Sequence, residues 1–190
     1  VGNKKKKEPI SFVAFGDDGD GMSPDVLHRC LQVGYSSRFN DRSGIGRFGV
    51  GAILGAINQC RKVEIYSKTS DDDWHYTYID LVDIADGKMD SIPEPKKKSP
   101  PEDLAELVGA SKGTLVIWKK YDKQPANASE IIDELRIWIG RTFRKFIWGA
   151  VPGIKHEVDF VLKLLTHFTL PQKKPALRMT RKLKNLVKFP

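Results

Sequence analysis

Over residues 11–121 the apolar positions fall into short runs separated by polar, glycine-rich stretches, and each run predicts one element. SFVAF (11–15) is β-branched and aromatic enough for a short strand. In PDVLHRCLQV (24–33) Val26, Leu27, Cys30, Leu31 and Val33 share one face of a helix, with Ser23 as N-cap and Pro24 at its first position. GYSSRFNDRSGIGRFGVGAILGAI (34–57) is polar to about Phe48 and small and apolar afterwards, which predicts a loop and then a tightly packed helix from about Gly49. KVEIYSKT (62–69) and WHYTYIDLV (74–82) alternate as two antiparallel strands joined around Asp71–Asp73. Residues 86–101 read as a loop or an excursion, with Pro93, Pro95, Pro100 and Pro101 forbidding regular structure. A short helix over 102–108 then leads to a core strand, Thr114–Trp118.

Further on, Ile131, Ile132, Leu135, Trp138, Ile139, Phe143, Phe146 and Ile147 give 129–147 one broad apolar helical face, with Ser129 as its N-cap. EVDFVLKLLTHFTL (157–170) reads as a strand leading into a helix, and 171–190 is basic with two internal prolines. There is no internal repeat. Strands mixed with helices and antiparallel pairs predict an α+β fold, a two-layer α/β sandwich.

The chain has 190 residues, which suits one domain or one domain with an appendage. No apolar run reaches the ~20 residues of a membrane span, so no membrane association is expected. Cys30 and Cys60 both lie in apolar-patterned segments, which predicts buried structural thiols and an intracellular setting, nuclear or cytoplasmic. The net charge of +8 is unevenly spread. Lys4–Lys7, with Lys173, Lys174, Arg178, Arg181, Lys182, Lys184 and Lys188, hold eleven of the 32 basic residues, leaving the body near neutral. Such ends either neutralise nucleic-acid phosphates, making binding salt-dependent, or simply keep the chain soluble.

Two glycine-rich runs invite chemistry. GIGRFGVG (44–51) opens a helix, where exposed N–H groups favour an anion and glycine lets the main chain approach phosphates. A polar loop precedes it and no GK[ST] follows, so neither a dinucleotide fold nor a P-loop is supported. DDGDGM (17–22) asks for another partner. An ionised Asp at a strand end is acceptor-only and can receive the exocyclic amino group of an adenine, while the glycines and Met22 leave room for a flat ring. A calcium loop fails for want of a Glu at the required spacing.

Taken in order, DDGDGM, a helix, a lid-like loop, IGRFGVG and the GT of Gly113–Thr114 resemble the GHKL ATPases: gyrase, the large heat-shock chaperone, sensor histidine kinases and MutL. The run Asp17–Pro24 with Leu27–His28 is most similar to the MORC (microrchidia) branch, and the resemblance covers roughly residues 10–120. It implies a Bergerat sandwich, a mixed sheet with helices over one face, binding ATP with Mg²⁺. Asp17 would accept the adenine amino group, Gly19, Gly21 and Met22 would line the base, and Thr114 would support a bound water. Gly44, Gly46, Arg47, Phe48, Gly49, Val50 and Gly51 would form the phosphate-facing turn. Ser36, Ser37 and Arg38 would belong to the lid, or be solvated loop residues. Asp18 and Asp20 read as solvated turn acids and His28 as a helix-surface residue.

The same resemblance implies an ATP-binding domain over 1–150, a basic extension over 151–190 that belongs to a transducer domain or stands apart, self-dimerisation on ATP, and DNA or chromatin as client. GHKL ATPases carry a Glu or Asp and a Mg²⁺-binding Asn on a helix before the first motif. VGNKKKKEPIS has no apolar face for such a helix. The catalytic base is therefore unassigned, which leaves open a segment further upstream or a non-hydrolysing regulatory binder. A chaperone-type ATPase acting on proteins would share every nucleotide motif.

Overall fold

The computed structural model describes residues 10, 12–37, 39–40, 46–122, 128–147, 160–162 and 177–179, in two compact units, Ile10–Gln124 and a second comprising Val1–Pro9 with Pro125–Pro190. In the first, β1 (Phe12–Asp17) leads to α1 (Pro24–Arg29) and α2 (Gly51–Ile57). Then come β2 (Cys60–Lys68), β3 (His75–Asp80), α3 (Leu81–Ala85), β4 (Lys96–Lys97), a 3-10 turn (Glu102–Leu107) and β5 (Gly113–Tyr121). In the second, α4 (Ala128–Thr142) and α5 (Arg144–Ile147) precede a hairpin of β6 (Phe160–Leu162) and β7 (Leu177–Met179). Among the described residues no helix is long and apolar enough to cross a membrane.

The five-stranded sheet runs in the order β1-β5-β2-β3-β4. Every pairing is antiparallel, so among the described residues the sheet is not the mixed one that the resemblance implied. The reason is β5. It is antiparallel to both β1 and β2, so those two strands run the same way without touching. The crossover that joins them carries α1 and α2.

Side chains alternate between the two faces of a strand, and directly opposed residues share a face. Val63 and Ile65 of β2 therefore stand with Ile79 and Thr77 of β3 and with Trp118 and Val116 of β5. Leu27 and Leu31, with Ile53 and Ala56 of α2, pack on this face to form the core. Leu27 is fully buried, which contributes about 1.5–3 kcal/mol. The opposite face carries charge. Glu64, almost wholly buried, pairs with Lys119 at 2.8 Å and Lys62 at 3.6 Å.

Several elements end earlier than their apolar pattern predicts. The first helix stops at Arg29 rather than Val33, because Gly34 turns at a φ of 86° and its N–H reaches Gly49 O at 3.2 Å. Val33 is consequently exposed. Ser23 is its N-cap without a side-chain bond. The second hairpin strand ends at Asp80, whose carboxylate accepts from Val82 N at 3.1 Å and starts α3. The 129–147 segment is two helices divided at Phe143, Ser129 lies inside the first, and Trp138 is exposed rather than buried. Both cysteines are free, as expected. Burial pushes Cys30 up to about 12 and Cys60 up to about 11, so both stay protonated thiols at neutral pH.

Candidate functional site

Leaving β1 at Asp17, the chain must pass β5 to reach the helix layer, and the acidic-glycine run makes that passage. It arches over the start of β5 and docks on the end of β2, where Met22 N–H donates to Ser67 Oγ at 2.9 Å. Gly21 sits at a φ of 70°, and a Cβ there would run into the Lys68 carbonyl oxygen. Only glycine meets both conditions. Gly19 N–H donates to Asp17 Oδ1 at 2.9 Å, a local turn that orients the carboxylate.

Asp17, Thr114 and Ser67 stand directly opposite one another on β1, β5 and β2, a row of three oxygens on the helix-facing side. Ser67 Oγ lies 3.1 Å from Gly113 O and 3.0 Å from Thr114 Oγ1. A carbonyl only accepts, so the single Ser67 proton goes to Gly113 and the Thr114 hydroxyl donates to Ser67. Thr114 Oγ1 is left with lone pairs for a further donor, such as a water. Ser67 itself is closed to solvent.

Desolvation raises the pKa of the Asp17 carboxyl above its ordinary value, with Asp18 adding to the effect, although the N–H groups of Gly19 and Thr114 pull the other way. The residue as a whole is nevertheless exposed, at the open end of β1. Among the described residues it makes no ion pair, and such an acceptor, fixed by the Gly19 N–H, suits a ligand that brings its own N–H.

A second cluster lies at the base of the loop before α2. Gly49, at a φ of 63°, packs against the Tyr35 carbonyl, where a Cβ would collide, and its own carbonyl receives Gly34 N–H. Gly34 and Tyr35 are thereby held against Gly49. Phe48 is exposed and meets Phe39 edge-on with centroids 6.2 Å apart. The Arg47 guanidinium lies 5.6 Å from the Phe48 ring centre, and its Nε is shut off from water without a hydrogen-bond partner among the described residues. Gly46 and Gly51 border open space, with nothing within 4 Å of an added Cβ. Val50 precedes α2 as its N-cap, and Gly51 is its first residue.

The structure thus gathers Asp17, Gly19, Gly21, Met22 and Thr114 in one place and Gly46, Arg47, Phe48, Gly49, Val50 and Gly51 in another. Both border the layer that α1 and α2 share. Ser36 is half-buried and Ser37 exposed, while Arg38 and Gly44 lie outside the described residues. Ser67 is the addition: no motif marks it, but once β2 is paired with β5 it falls opposite Thr114. Asp20 is more than a solvated acid, because it pairs with Lys112 at 2.6 Å. His28 bonds the Ile92 carbonyl at 2.9 Å and is structural.

Among the described residues no three His, Cys, Asp or Glu converge to hold a metal by themselves. A shallow cavity of about 340 Å³, lined by Lys68, Asp73, Trp74, Lys97, Lys98 and Ser99, lies at the β3–β4 edge and includes no residue of either cluster.

One relative, Protein MICRORCHIDIA 3 of Arabidopsis thaliana, is 42% identical over 45 residues, a stretch that covers 24% of this chain and 8% of that protein. Residues 2–114, more than half of the sequence, match the family of histidine kinase-, DNA gyrase B-, and HSP90-like ATPases. The chain belongs to that family, the GHKL ATPases.

Proposed function

We propose that the chain binds ATP at the Asp17–Thr114–Ser67 row, hydrolyses it, and serves as a nucleotide-driven dimerisation switch acting on DNA or chromatin. The observation that carries the nucleotide reading is that row: an exposed carboxylate at the end of β1, without an ion pair among the described residues, beside a hydroxyl with spare lone pairs. Asp17 accepts the 6-amino proton of adenine, and Thr114 holds a water beside it. Guanine presents a carbonyl oxygen at the same position, which the carboxylate repels. Met22, packed at the edge of the core, offers a polarisable surface to the ring.

Arg47, whose Nε has no partner among the described residues, and the open main chain at Gly46 and Gly51 are assigned to the phosphates. Ser36, Ser37, Arg38 and Gly44 are assigned to the lid and the phosphate turn on the resemblance alone. Mg²⁺, bound with the triphosphate, supplies neutralisation of its charge. None of the described residues is assigned as its ligand or as the base that activates water. DNA or chromatin as client rests on the likeness to the microrchidia branch and on the lysine-rich ends, where Lys4–Lys7, Lys173, Lys174, Arg181, Lys182, Lys184 and Lys188 lie outside the described residues.

Calorimetry with ATP, ADP and GTP tests the site. ATP and ADP should bind and GTP should not. Asp17→Asn should weaken ATP by about 10- to 100-fold with an unchanged circular dichroism spectrum, because the amide turns a donor toward the base where only an acceptor fits. Equal affinity in the variant would remove Asp17 from the site. Tight ATP binding without turnover would make the domain a regulatory binder. Turnover without any salt-dependent DNA affinity would favour a protein client.

A further inference from the structure

The acidic-glycine arch is fastened at both ends, to β1 through Asp17 and to β2 through Met22 and Gly21. Its middle spans the start of β5, and there a second loop meets it. Residues 109–112 lead directly into Gly113–Thr114, and a Cβ on Gly109 would lie 3.3 Å from the Asp18 Cβ, so the two loops are in contact. From the end of the second loop Lys112 reaches Asp20, at the crown of the arch, with Nζ 2.6 Å from Oδ1.

We propose that Lys112 and Asp20 form an ionic strap across the adenine end of the site, holding the arch over Asp17 and Thr114 and thereby prolonging the stay of the bound nucleoside. The proposal rests on the nucleotide reading above. Neither residue touches the base; both are positioning residues. The Lys112–Asp20 pair ties the crown of the arch to the loop that enters β5, and so bears on how often the arch lifts. Both side chains are substantially exposed, at 40% for Lys112 and 89% for Asp20. Such a pair is weak and screened by salt. The strap therefore acts as a trim on affinity that ionic strength adjusts, not as an essential fold contact.

Adenosine is the probe that isolates this effect, since it has no phosphate whose own attraction to the protein varies with salt. Its affinity for the full chain, wild type and Lys112→Met, is measured at about 0.02 M and about 0.5 M salt. At low salt the variant should bind about two- to five-fold more weakly, and at high salt the two should converge. The charge-exchanged double variant Asp20→Lys with Lys112→Asp should recover most of the low-salt affinity, which a merely structural role for either residue would not produce. Identical adenosine binding by wild type and Lys112→Met at low salt would overturn the strap while leaving the site intact, as would failure of the exchange to recover it. If the wild type bound neither adenosine nor ATP, the nucleotide reading would fall, and the strap with it.

Discussion

Ser67 Oγ serves three partners from a position closed to water: it accepts from Met22 N–H, donates to Gly113 O and receives the Thr114 hydroxyl. Ser67→Ala leaves the first and third of these without an acceptor in a buried place. Urea unfolding should show a loss of about 1–3 kcal/mol. Because Met22 and Thr114 both border the proposed adenine site, ATP affinity measured below the unfolding transition should fall as well. A stable variant with full affinity would mean that water replaces the hydroxyl. The turn that Asp17 and Gly21 make was legible, because an acid and glycines packed between a strand and a helix predict a tight passage. Ser67 was not, since a serine in an alternating strand gains its role only from the strand that pairs beside it.

Asp80 shows how one side chain can redirect an element. Its neighbours alternate like strand residues, and the pattern through Val82 reads as one strand. The carboxylate nevertheless caps Val82 N–H and pairs with Lys120 at 2.8 Å and Lys62 at 3.7 Å, which turns the chain into α3. Such a choice between strand and cap is decided by cross-strand lysines that local periodicity does not contain. Burial alone would raise the Asp80 pKa, but Lys120 and the Val82 N–H outweigh it and hold the carboxyl below its ordinary value. A depressed folded-state pKa contributes stability above the unfolded value of about 3.9 and loses it as pH falls through the lowered one. Asp80→Asn should therefore cost about 1–3 kcal/mol at neutral pH, with the gap to wild type narrowing as pH drops below about 4. Urea midpoints across that range measure it. A gap that stays constant with pH would assign the whole effect to the cap rather than to charge.

At the scale of the molecule, most element types were readable, the short β4 among the prolines of 86–101 excepted, but their order across the sheet was not. β5 enters between β1 and β2 from far along the chain, and nothing local to either strand announces it. That insertion is also what makes the candidate site, by setting Thr114 between Asp17 and Ser67. Charge, by contrast, is a whole-chain property that the sequence states directly: seven basic residues and no acid between residues 172 and 190, against a nearly neutral body. If that segment contacts DNA, each phosphate it neutralises adds about 0.9 to the slope of log affinity against log salt. Removing 172–190 should then weaken DNA binding at low salt and flatten the slope by up to about 6, while ATP affinity stays the same because Asp17, Thr114 and Ser67 are untouched. Fluorescence anisotropy with a short duplex over a salt series measures the slope. An unaltered slope would leave the tail as a solubilising segment and move any DNA contact to the body of the protein.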